Sequence, residues 1–150
     1  MAAEFNITGL EPALRKMRAV TAEVTLKGVR GSASKAMRVV RDAARANARR
    51  IDDPESAADI AKNIAVSTRV YPRLGEVRSR VGVKGGARPD SSRNPDPKNT
   101  GHWRFIELGT SEQPARPFMR PALENNIDKV VTVFVDDLDK NIDRIVAKTK

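Results

Sequence analysis

Leu10, Leu14, Met17, Val20 and Val24 recur at steps of three and four residues, which aligns them on one face of a helix. Thr8, Glu11 and Pro12 just ahead of them make a plausible helix start. Gly28 and Gly31 interrupt the run, and the pattern predicts a break or bend there. A second helix follows, with Ala33, Ala36, Met37, Val40, Ala44 and Ala48 as a thin apolar stripe that a neighbouring element can approach closely. Asp53-Pro54-Glu55 supplies a cap, a first-turn proline and a first-turn acid, and opens a short helix running to about Asn63.

The period then changes from 3.6 to two. Ile64, Val66, Thr68 and Val70 alternate with more polar neighbours, as do Val77, Ser79, Val81 and Val83. Tyr71-Pro72-Arg73-Leu74-Gly75 between them carries turn residues, so the stretch predicts an antiparallel β-hairpin with one apolar face. Residues 84–101, rich in Gly, Pro and Ser, follow neither period and are expected to form a long mobile loop projecting from the hairpin.

Trp103, Phe105, Ile106 and Leu108 resume the apolar content as a short helix or a third strand, with Gly109 ending it. Pro114, Pro117 and Pro121 then hold the chain extended. Pro121 is expected at the first helical position, because inside a helix it costs about 3 kcal/mol. From there Leu123, Ile127, Val130, Phe134, Leu138, Ile142 and Ile145 predict one long C-terminal helix, with Arg144, Lys148 and Lys150 where its dipole favours cations. The expected fold is α+β: N-terminal helices, a small antiparallel sheet with its loop at 84–101, and a long C-terminal helix, all in one domain over 1–150.

Charge changes the picture more than composition does. The net +9 divides into +7 over residues 1–50, +3 over 51–120 and −1 over 121–150, so the N-terminal third should face an anionic partner. Cysteine is absent, which excludes disulfides and thiolate chemistry. No apolar run approaches the ~18 residues of a membrane span, and "MAAEFNITGL" has no signal-peptide character. The expectation is a soluble protein of a reducing cytoplasm with no membrane partner.

Reactive chemistry is hard to assemble. His102 is the single histidine, and no serine sits in a nucleophile elbow. Ser32-Ala33-Ser34-Lys35 has the S-x-x-K form without the companion motifs that would give it meaning. Asp136, Asp137, Asp139 and Asp143 fall in a helical period without the glycine and glutamate of a calcium loop, and read as a solvated acidic face. The sequence therefore predicts no catalytic residue, no metal and no cofactor. Arg38, Arg41, Arg45 and Arg49, with Lys35 and Arg50 at the ends, form a basic helix face. Like charges at this spacing do not stabilise a helix, so the face is either solvated or turned to phosphates or carboxylates.

The stretch "HWRFIELGTSEQPARPFMRPALENN" (102–126) resembles the signature of the tail-completion, or head–tail joining, proteins of lambda-like siphophages. Glu107, Gly109 and Thr110 match its Glu-x-Gly-Thr, and Pro114, Ala115, Pro117, Phe118, Arg120, Pro121 and Ala122 match its Pro-Ala-x-Pro-Phe-x-Arg-Pro-Ala. "FNITGLEPALRKM" also resembles the opening strand and helix of that family, whereas the proline-rich arm at 84–101 departs from it.

The resemblance implies a structural virion protein without chemistry, made in the host bacterial cytoplasm and residing in the neck. Copies would form a ring, a hexamer by resemblance, between head-closure or connector proteins and the tail terminator or tail tube, with genomic DNA passing through. Trp103, Glu107, Arg116, Phe118 and Arg120 are the implied subunit or partner contacts, with Phe118 either an anchor between subunits or a core residue of its own chain. Arg41, Arg45 and Arg49, or Arg88, Arg93 and Lys98 of the arm, are the candidates to face the DNA. The alternative is a basic protein that binds nucleic acid non-specifically.

Overall fold

The computed structural model describes residues 22–51, 60–84 and 100–149. The expected stripe at Leu10–Val20, the helix start at Asp53, the arm over 85–99 and Lys150 lie outside the described residues. Helix α1 spans Ala22–Ile51, α2 Ile60–Asn63, strand β1 Ile64–Tyr71, β2 Glu76–Val83, α3 Trp103–Leu108, α4 Met119–Glu124 and α5 Ile127–Thr149. The architecture is α+β, with a two-stranded antiparallel sheet and a long C-terminal helix. The described residues divide into two compact units, one of residues 22–36, 68–79 and 128–149, the other of 37–51, 60–67, 80–84 and 100–127.

Two expected helix boundaries are corrected. α1 runs unbroken through Gly28 and Gly31. A helical glycine costs only about 1 kcal/mol relative to alanine, which tertiary burial readily offsets. Both glycines instead face α5: a Cβ on Gly28 would meet Ile145 Cδ1 at 3.5 Å, and one on Gly31 would meet Asn141 Nδ2 at 3.9 Å. The second correction lies at the other end of the chain, where the single expected helix is two. Asn126 Nδ2 donates to the Ala122 carbonyl at 2.9 Å, and its backbone N–H bonds Leu123 O at 3.0 Å. An asparagine amide that takes a helical carbonyl ends the helix it sits on. Leu123 consequently leaves the stripe and is exposed.

In the first unit, Leu138 and Ile142 of α5 form the buried apolar centre, with Val29 and Phe134 packed against them. Beside it lies a polar cluster. Ser32 Oγ donates to Asp137 Oδ2 at 3.0 Å, Lys35 Nζ pairs with Oδ1 at 2.5 Å, and Asn141 Nδ2 reaches Asp137 Oδ2 and Ser32 Oγ, each at 2.9 Å. Asp137 is therefore not part of a solvated acidic face, as its period suggested. It ties α5 to α1 through Ser32 and Lys35, the serine and lysine of the S-x-x-K tetrad.

Burial alone would push the Asp137 carboxyl up, but hydrogen bonds from Lys35 and Ser32, the Lys35 charge and Asn141 outweigh it and hold it below the ordinary aspartate value. A depressed folded-state value means the stabilisation is complete above the unfolded-state value of about 3.9 and is lost as pH falls through the lower folded one. We expect Asp137→Asn to be less stable than wild type at neutral pH, with the gap closing below about pH 4. Urea midpoints across that range check it, and a gap independent of pH would refute it.

The second unit is built on a four-residue rhythm. Ala36, Val40, Ala44 and Ala48 of α1 are buried, the last three within this unit, as are Ile60, Ala61 and Ile64 around the start of β1. Ala33 and Met37, counted in the expected stripe, are half-buried. Asn63 Nδ2 donates to Thr100 Oγ1 at 3.1 Å, and Lys84 N–H bonds Asn63 O at 2.8 Å, which holds Lys84 and Thr100 beside the start of β1. In the hairpin Thr68 Oγ1 meets Ser79 Oγ at 2.8 Å, in the same register as the Asn63–Lys84 pairing. Gly75, at φ +63°, completes the four-residue turn, a backbone state in which glycine carries no Cβ penalty.

Candidate interface at the proline segment

α3 has two faces. Trp103, Ile106 and Glu107 point inward or sideways, while Phe105 and Leu108, three residues apart, are 58% and 64% exposed. The helix ends at Gly109, whose φ of +75° is a left-handed state that L side chains avoid. Space demands glycine as well, because a Cβ there would lie 2.7 Å from Ala115 N and 3.1 Å from Gln113 O. Thr110 then closes a tight turn: its Oγ1 accepts from Gln113 N–H at 3.0 Å, and its own N–H bonds Gln113 O at 2.9 Å. Arg116 N–H returns to Ile106 O at 2.7 Å, so the segment runs back along α3. Gly109→Ala should destabilise the protein by about 1–3 kcal/mol through conformation and clash together. An unchanged thermal midpoint would contradict this.

Glu107 is the centre of the arrangement. Only 4% exposed, its carboxylate accepts from the N–H groups of Phe118 at 2.7 Å, Met119 at 3.0 Å and Arg120 at 3.1 Å. The Arg120 Nε lies 3.6 Å away and adds a cation. The first N–H groups of any helix lack intrahelical partners, and here one carboxylate from eleven residues upstream satisfies those at the start of α4. This explains why Pro121 is the third residue of α4 and not the first, as expected: the first turn demands no N–H from it.

Phe118 is 1% exposed, and its ring meets Trp103 edge-on at 6.5 Å and 75°. Its carbonyl accepts from Asn47 Nδ2 of α1 at 3.2 Å. Between these fixed points residues 111–117 are all exposed.

Of the five expected contact residues, Glu107 and Phe118 thus face into their own chain, Trp103 is half-buried beneath the Arg104 guanidinium at 5.7 Å, and Arg116 and Arg120 are exposed. The structure brings all five together. It does not do so for the basic face of α1. Arg45 forks onto the Ile64 carbonyl through Nε and Nη2 at 3.1 and 2.8 Å, so its guanidinium ties α1 to the start of β1. Arg41 pairs with Asp42 at 2.8 Å, and Arg49 is exposed. Arg88, Arg93 and Lys98 lie outside the described residues.

Asn47, and the outward turn of Phe105 and Leu108, were not foreseen. The two apolar residues carried a signal in their three-residue spacing, opposite Trp103, Ile106 and Glu107. Among the described residues no group of three or more metal-ligating side chains occurs, and no helix is long and apolar enough to cross a membrane. No family model, curated protein or solved structure matches the chain.

Proposed function

We propose that this chain is a structural subunit of the neck of a tailed phage, assembling into a ring that joins head to tail and lets DNA through. The observation that carries the reading is the clamp at Glu107. It joins most matched positions of the 107–122 motif in one arrangement: a carboxylate, a left-handed glycine, a turn threonine, stiffening prolines and a buried phenylalanine. What that arrangement holds out to solvent is residues 111–117, beside the exposed Phe105 and Leu108. A surface already restricted by prolines loses little entropy when a partner covers it. No described residue engages the Arg116 guanidinium, which leaves a planar fork for an acidic neighbour. A ring needs a patch of this kind to meet a different patch on the next copy.

Light scattering of the purified chain, with negative-stain imaging alongside connector and tail components, tests the proposal. A multimer of ring size, or one formed on contact with either component, supports it. A persistent monomer that joins neither overturns it. Arg116→Ala should keep the fold and weaken assembly. The second reading, a free nucleic-acid-binding protein, draws on exposed Arg38, Arg49 and Arg50 of α1. Tight duplex binding by isolated monomers at physiological salt would favour it.

A further inference from the structure

The hairpin carries a charged face that neither the clamp nor the core uses. The Thr68–Ser79 pairing sets Arg69 directly opposite Arg78 on the neighbouring strand, both exposed. Like charges facing each other across a sheet are destabilising, so folding does not account for them. Arg78 is held in place: Nε and Nη2 bond Glu76 Oε2 at 3.0 and 2.8 Å, and its guanidinium lies 5.0 Å over the Tyr71 ring. No described residue engages the guanidinium of Arg69, or that of Arg73 in the turn. Three guanidiniums against one carboxylate leave the tip with an excess of two positive charges.

We propose that this face, formed by Arg69, Arg73 and Arg78, binds the phosphate backbone of duplex nucleic acid. A two-stranded ribbon is of a size that the major groove admits, and the planar fork of arginine suits phosphate oxygens. An acidic protein partner fits less well, because protein interfaces are anchored by a desolvated apolar centre. This face offers only the half-buried Tyr71 and, at the apex, Leu74. One leucine is likewise too little apolar area to seat the hairpin in a lipid surface. The site gives the neck reading a named contact for passing DNA, yet stands without it, because binding is read on the isolated protein whatever its mass.

The test is fluorescence anisotropy of the full chain with a mixed-sequence duplex of about 30 base pairs, over about 50 to 200 mM salt. The triple variant Arg69→Ala, Arg73→Ala, Arg78→Ala should bind on the order of ten-fold more weakly at the lowest salt, with a log–log salt slope smaller by about 2 to 3. The lysine triple variant should retain most of the binding, and light scattering should give all three proteins the same mass. Because the alanine triple could perturb the hairpin, Arg73→Ala in the turn is measured alone and should lower the slope by about one. The inference is overturned by wild-type protein that ignores duplex at the lowest salt, or by folded variants with unchanged slope. Binding to phosphatidylserine vesicles in preference to duplex overturns it too.

Discussion

Glu107→Ala is expected to lower stability by about 3 kcal/mol or more, because it strands three backbone N–H groups that one buried carboxylate now satisfies. The loss should appear as a lower urea midpoint with an unchanged slope, since the unfolded chain is the same. Glu107→Gln keeps an acceptor oxygen but sets an amide N–H₂ against the donors and gives up the Arg120 pairing. It should recover only part of the loss. Faster proteolytic cleavage between Gly109 and Phe118 should accompany both changes, because the segment depends on the clamp for its course. An alanine variant within about 0.5 kcal/mol of wild type would remove the carboxylate from its central place.

Phe118→Ala should be of similar size, about 3–5 kcal/mol, combining lost transfer energy, a residual cavity and the edge-on contact with Trp103. The chain has one tryptophan, so its emission reports this site alone. A red shift in the folded variant is expected, because removing the ring admits water to the indole. Phe118→Leu keeps most of the volume and should show little of either effect. If the alanine variant were neutral and its emission unmoved, Phe118 would not be the core residue described. The two substitutions also separate folding from assembly. If the chain assembles into the proposed ring, both should abolish its formation by collapsing the loop, whereas Arg116→Ala should impair it in a protein of normal stability.

The hairpin was fully legible in the sequence because alternation is a local signal, and its turn falls where Pro72 and Gly75 place it. The stripe of α5 was legible from Ile127 onward for the same reason. What escaped were features decided at long range. Gly28 and Gly31 look like breaks until α5 is known to lie against them. Asp137 looks like one more surface acid until Ser32, 105 residues away, donates to it.

The candidate site divides in the same way. Its residues are recognisable as a motif, and a glycine after an apolar run marks the helix end at Gly109. Phe118 could be read as either an anchor or a core residue, and its burial decides for the core, whereas Glu107 gives no local sign that it serves the chain's own backbone. Arg45 belonged to a regular basic series, and only the fold shows that it bonds a carbonyl of β1.

The tether between Glu107 and the start of α4 has one more consequence. It separates footing from face: the hydrogen bonds that fix the loop's course use backbone N–H groups, while residues 111–117 hold no side chain in the interior. The exposed positions can therefore be rewritten, apart from the prolines, without disturbing how they are displayed. An engineer could graft a foreign recognition sequence onto the same mount at little cost in folding.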